Sequence, residues 1–127
     1  MPTVRRLQHS SVPMPRDGAT DARRFYGGAL GLEEVSLPES LHDRALVWFS
    51  AGDGHEIHCF ADEHLGPNSP QQHFCLEVDD LDAYRTRLDE HGVATYDSTP
   101  IHNRPRFFVR DPFGNQIELT QILGPYK

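Results

Sequence analysis

Gly54-His55-Glu56-Ile57-His58-Cys59-Phe60 and Gly114-Asn115-Gln116-Ile117-Glu118-Leu119-Thr120 overlay at an offset of 60, with Gly and Ile matching. The flanks follow. Trp48-Phe49 falls near Phe107-Phe108, and Leu30-Gly31-Leu32 lies near His91-Gly92-Val93 at an offset of 61. Further upstream, the segment from His9 matches the segment from His73 at an offset of 64. A drift of this size is what loop-length changes leave between two copies of one unit, so the chain reads as a duplication.

Each copy predicts a strand, a helix and three more strands. In the first, Leu7 to Val12 is a strand, and Asp17 is placed to cap a helix whose Ala22, Phe25, Tyr26 and Ala29 form an i, i+3, i+4, i+7 stripe. Gly31 stops that helix. Strands then fall at about 32 to 36, 45 to 50 and 54 to 60, the last two joined by Gly52-Asp53-Gly54. In the second copy, Phe74 to Val78 is the strand, and Asp79 or Asp80 caps a helix with Leu81, Tyr84 and Leu88 on one face. After Gly92, strands are predicted at about 93 to 96, 107 to 110 and 116 to 122, with Asp111-Pro112-Phe113-Gly114-Asn115 as a tight turn. The expected fold is α+β, a duplicated βαβββ module whose strands make a cupped mixed sheet. It forms a single domain over 1–127, with modules at about 4–62 and 71–123.

Composition bounds the partners. The 127 residues carry 12 Lys plus Arg against 19 Asp plus Glu, a formal charge of −7 that opposes binding to a phosphate backbone. There is no apolar run long enough for a membrane span and no secretory h-region near the start, so a cytoplasmic protein is expected. Cys59 and Cys75 are too few and too far apart for a zinc knuckle, and both fall in apolar stretches where a thiol acts as a small hydrophobe. Against two Cys stand eight His, so any metal here must be held by imidazole and carboxylate.

Strand side chains alternate between faces, which sorts the candidates. Ile57, Cys59, Phe74, Leu76, Val78, Ile117 and Leu119 suit packing under the helices. The opposite parity collects Glu56, His58 and Phe60; His73, Cys75 and Glu77; and Gln116, Glu118 and Thr120, while His9 and Ser11 share a face of the first strand. Two repeat-equivalent pairs emerge, His9 with His73 and His58 with Glu118. Three imidazoles and a carboxylate in symmetric pairs are a donor set for Zn, Ni, Fe(II) or Mn(II), whose identity the ligands do not fix. Without His58, the set His9, His73 and Glu118 is a two-His, one-carboxylate triad. Of Trp48 and Phe49, one must face the cup and the other the helices. Arg104 and Arg106, in the loop before a strand, are of the type that clamps carboxylate or phosphate.

Phe25-Tyr26-Gly27-Gly28-Ala29-Leu30-Gly31-Leu32 and Val109-Arg110-Asp111-Pro112-Phe113-Gly114-Asn115-Gln116-Ile117-Glu118-Leu119, together with Val78-Asp79-Asp80-Leu81, resemble the signatures of the vicinal oxygen chelate superfamily. That superfamily contains glyoxalase I, extradiol dioxygenases, and fosfomycin- and bleomycin-resistance proteins. The resemblance implies one divalent metal ion in a cup, often completed by two chains of a homodimer. The family ligand positions fall on His9, His73 and Glu118, with the fourth on His58, where glyoxalases usually carry Glu; Glu56 is the rival. Pro13 and Asp62 stand where a glutathione-binding Arg and Asn would lie, which departs from the lactoylglutathione pattern.

The expected function is that of a divalent-metal-dependent enzyme chelating two oxygens of a small organic substrate. Its chemistry is of the isomerase or lyase type or the dioxygenase type, with Glu118, or Glu56 beside it, moving a proton. Substrate contacts are assigned to Glu56, Trp48, Phe60 and Arg106. The alternative is a binding protein that sequesters an antibiotic or aromatic metabolite in a groove of Trp48, Phe60 and Phe108.

Overall fold

The computed structural model describes residues 1–127. Its elements are β1 (His9–Met14), α1 (Ala19–Ala22, widening into a π-turn over Arg23–Ala29), β2 (Glu33–Val35), β3 (Leu46–Ser50) and β4 (Glu56–Ala61). They are followed by β5 (His73–Glu77), α2 (Leu81–Glu90), β6 (Arg106–Arg110) and β7 (Gln116–Thr120). The fold is α+β with two small mixed sheets. The first has the order β1-β4-β3-β2, the second β5-β7-β6, and in each the opening strand lies parallel to the closing one.

The two sheets share their register as well as their order. Ser11 stands opposite His58 and Trp48 opposite His58 on the other side; Cys75 and Phe108 flank Glu118 in the same way. His9 and His73 therefore occupy the same place relative to their sheets, one pleat before Ser11 and Cys75.

The predicted strand at 93 to 96 reduces to one bridge, Tyr96 to Phe108, which matches the Val35 to Trp48 pairing of the first sheet. The Arg85 guanidinium donates to Thr95 Oγ1 at 3.0 Å and to Asp97 Oδ1 at 3.1 Å, tying the flanking residues to α2 instead of extending the ladder. Strand β1 starts two residues later than expected and runs on through Pro13. Pro13 is tolerated because β1 is an edge strand.

Asp17 does not cap α1. The cap position falls on Gly18, with no side-chain bond, while Asp80 caps α2 by accepting from the Ala83 amide at 3.0 Å. The stripe of α1 is nevertheless buried through Ala22, Phe25, Tyr26 and Ala29. Gly27-Gly28 sits in the widened turn, where the Leu30 amide reaches back to the Phe25 carbonyl. Gly31 ends the segment at φ +74°, a backbone that L side chains rarely adopt.

Alternation decided the core. A cluster of 18 buried residues takes Val12, Met14, Phe49, Ile57 and Cys59 from the first sheet, Phe107, Val109, Ile117 and Leu119 from the second, and Tyr26 and Leu88 from the helices. Phe49 faces this core, so Trp48 stands on the opposite face. Cys59 is buried, and burial pushes its thiol up to about 12. Cys75, although in an apolar stretch, is exposed because its parity on β5 turns it away from the helices.

The halves are tied by polar contacts at helix and turn ends. Arg87 of α2 donates to the Ala29 and Gly28 carbonyls at 2.9 Å each, and Tyr84 donates to the Leu30 carbonyl at 2.8 Å. These satisfy carbonyls left open where α1 ends. Arg87→Ala is expected to lower stability by about 1–2 kcal/mol, read as a shifted urea midpoint at constant slope.

Candidate metal and ligand site

Each candidate ligand lies on the open face of its sheet, and they come together in two groups. On the second sheet, His73 Nε2 lies 3.0 Å from Glu118 Oε1. The His73 Nδ1–H donates to the Gln71 carbonyl at 2.7 Å, which fixes the ring and directs Nε2 toward the carboxylate. Phe108 meets the His73 ring edge-on, with centroids 5.0 Å apart. The other Glu118 oxygen, Oε2, is 3.4 Å from Arg106 Nη1.

Arg106 is not part of a solvated loop. It is the first residue of β6, shares the face of Phe108 and Glu118, and has 16% of its side chain exposed, against 11% for Glu118. Its Nη2 donates to the Thr99 carbonyl at 2.9 Å, and its guanidinium lies over the Phe108 ring.

On the first sheet, His58 is sandwiched between aromatic neighbours. The Trp48 ring stacks on it at 3.8 Å and 6°, and the His9 ring at 4.1 Å and 20°. His58 Nε2 lies 2.8 Å from Glu56 Oε1, so both rivals for the fourth ligand position are in contact. The hydrogen bond to His58 holds the half-buried Glu56 carboxyl below its ordinary value. His9 Nδ1 lies 2.7 Å from Gln8 Oε1.

The two groups do not merge within one chain. Nowhere are three His, Cys, Asp or Glu side chains gathered in an arrangement that could hold a metal ion. Phe60 shares a cleft of about 260 Å³ with His73 of the second group, lined also by Ser11, Pro13, His64 and Asn68. A wider cleft of about 560 Å³ on the second sheet is lined by His73, Tyr96, Phe108, Arg110 and Gln116. His73 borders both.

A family profile described as the Glyoxalase/Bleomycin resistance protein/Dioxygenase superfamily matches residues 7–119. The chain belongs to this superfamily. Among solved structures it is similar to a glyoxalase family protein from Bacillus anthracis, at 31% identity and a TM-score of 0.88, covering 96% of this chain and 98% of that one. It is also similar to an antibiotic binding protein from a Streptomyces species, at 25% identity and a TM-score of 0.76, covering 96% and 99%. A lactoylglutathione lyase from Agrobacterium tumefaciens shares the fold at 22% identity and a TM-score of 0.63, covering 91% and 92%. No curated protein matches the chain. No helix is long and apolar enough to cross a membrane.

Sequence reading missed the groups that orient the site. Gln71 acts through its backbone carbonyl, which carries no residue signal, and Gln8 has only its adjacency to His9. The Asp111 cluster beneath the second sheet was read only as a turn. Its carboxylate accepts from Tyr26 Oη at 2.6 Å, Asn115 Nδ2 at 2.7 Å, and the Phe113 and Asn115 amides at 2.9 Å each.

Proposed function

We infer that the protein is a divalent-metal-dependent enzyme acting on a small organic substrate that offers two adjacent oxygens. The observation that carries this reading is the shared register of the two sheets, which sets His73 and Glu118 in one sheet where His9 and His58 stand in the other. The donor set suits the group: imidazole nitrogens and carboxylate oxygens already face one another in pairs, and the His73 Nδ1 is occupied by a carbonyl as in metal-ligating histidines. His9, His73 and Glu118 would hold the metal, with His58 or Glu56 as the fourth ligand. A divalent cation held there supplies Lewis acidity toward the two substrate oxygens.

The surrounding residues have separate tasks. Glu56, hydrogen-bonded to His58, would take a proton from a carbon next to a polarised carbonyl. Trp48 and Phe108, which occupy equivalent places in the two sheets, provide apolar walls for the substrate. Because the donor pairs lie apart within one chain, the reading requires a homodimer in which each site takes one pair from each protomer.

Two measurements test this. Untagged protein is expected to take up Ni, Zn, Mn or Fe(II) at about one ion per chain. In addition, His9→Ala chains and Glu118→Gln chains, each unable to bind tightly, are expected to regain about a quarter of the wild-type sites when refolded together. No uptake of any of the four metals overturns the reading, and uptake without complementation overturns the shared site.

A second reading is favoured by the Trp48, His58 and His9 stack and by the similarity to an antibiotic binding protein: sequestration of a flat aromatic ligand without turnover. It predicts ligand binding that survives His73→Ala and chelation.

A further inference from the structure

The charge balance around Arg106 identifies a property of the substrate. Its guanidinium is largely buried and has a single carboxylate partner, Glu118, reached through one contact of 3.4 Å rather than a paired fork. The rest of its anchoring is neutral: the Thr99 carbonyl at 2.9 Å, a marginal contact to Ser98 Oγ at 3.5 Å, and the Phe108 face. Its Nε–H is buried with no acceptor at all. Arg104, the next cation on the chain, stacks on Tyr126 and also leaves a buried Nε–H unpartnered. Each arginine thus keeps one buried Nε–H donor without an acceptor.

A divalent cation held at Glu118 Oε1, beside His73, would draw negative charge away from the Oε2 that faces Arg106. Once the Glu118 charge is directed to a metal, a buried guanidinium is left beside a second positive centre, an arrangement that low local dielectric makes costly. An anion bound at the same time removes that cost.

We propose that Arg106 makes this site selective for a substrate carrying a carboxylate or comparable oxyanion next to its chelating oxygens, so that metal and anion bind cooperatively. The proposal rests on the metal-dependent reading above. Thr99 and Phe108 hold the guanidinium in position, and the substrate's anionic group takes over the role of Glu118 Oε2. Linkage then requires that the anion raise metal affinity and the metal raise anion affinity by the same factor. In the absence of anion, Arg106 acts against the metal by competing for Glu118.

The test is a Ni(II) titration of wild-type, Arg106→Gln and Arg106→Lys proteins, alone and with saturating glycolate or the uncharged glycolamide. Chelation of Ni(II) by free glycolate is common to all three proteins and cancels in the comparison. The tightening of Ni(II) binding by glycolate is expected to be at least tenfold larger in wild type than in Arg106→Gln, with glycolamide showing no such difference between the two proteins. Arg106→Gln is expected to bind Ni(II) alone more tightly than wild type and to lose the glycolate effect, while Arg106→Lys, which keeps the charge, retains most of it. An equal glycolate effect in wild type and Arg106→Gln overturns the proposal while leaving the metal reading intact. Absence of Ni(II) binding in all three overturns the metal reading and the proposal with it. Should Arg106→Gln not fold, Arg106→Leu takes its place in the comparison between proteins, and an equal glycolate effect in it and in wild type overturns the proposal.

Discussion

Glu118→Gln is expected to weaken divalent-metal binding on the order of 100-fold or more and to abolish any metal-dependent turnover. The substitution keeps the size of the side chain and its place opposite Cys75 and Phe108, and changes only the charge and one oxygen. A second effect accompanies it. Arg106 then loses its one carboxylate partner at 16% side-chain exposure, which is expected to cost about 2–3 kcal/mol. That figure sits at the low end for a broken buried pair because the guanidinium keeps its bond to the Thr99 carbonyl. Urea unfolding separates the effects: the double variant with Arg106→Gln should recover part of the stability and none of the metal affinity. Metal affinity unchanged in Glu118→Gln would remove Glu118 from the ligand set.

Asp111→Ala is expected to be the most damaging substitution for folding, at about 3–5 kcal/mol, a large share of the stability of an ordinary small domain. The carboxylate accepts four hydrogen bonds, and its loss strands the Tyr26 hydroxyl, which is buried, together with two turn amides. Asn115 would lose one of the two bonds made by its side-chain nitrogen, keeping only the bond to the Pro13 carbonyl that ties this turn to β1. The midpoint of urea unfolding, compared with that of Asp111→Asn, measures the effect.

The same residue has a pH signature. Burial raises the Asp111 carboxyl above the ordinary 3.8, against the hydrogen bonds that lower it. The folded state therefore binds this proton more tightly than the unfolded state. The contribution of Asp111 to stability rises as pH falls from neutral through its folded value and stops growing below about 4, the unfolded value. This is opposite in sign to an ion-paired carboxylate. Wild-type stability relative to Asp111→Asn should thus increase on acidification toward pH 4, and a difference independent of pH would contradict the assignment.

How much of this was legible in the sequence follows from how far each feature reaches along the chain. Alternation in β4 and β7 depends on successive residues alone, so the buried sets Ile57 with Cys59 and Ile117 with Leu119 were correct. A cap at Asp79 or Asp80 needs only the next turn of helix and was legible, the structure taking Asp80; Asp17 carried the same signal, yet the chain enters α1 one residue later, at Gly18. Val93 to Tyr96 has strand composition, but Arg85, ten or so residues earlier, holds Thr95 and Asp97 on either side of the Tyr96 bridge. Trp48 and Phe49 were indistinguishable until the register with β4 put Trp48 against His58.

The sequence by itself determined the duplication, the sidedness of β4, β5 and β7 and the residue types available as ligands, because repeat and alternation are properties of short stretches. The tertiary structure decided which of those residues meet. Pairing β5 with β7 across more than 40 positions brings His73 to Glu118, and β6 adds Arg106 to the other carboxylate oxygen. It also separated this group from His9 and His58 on the other sheet, since strand order is set by the packing of the shared core. Neighbours across a sheet are fixed by long-range burial and register, and no local pattern encodes them.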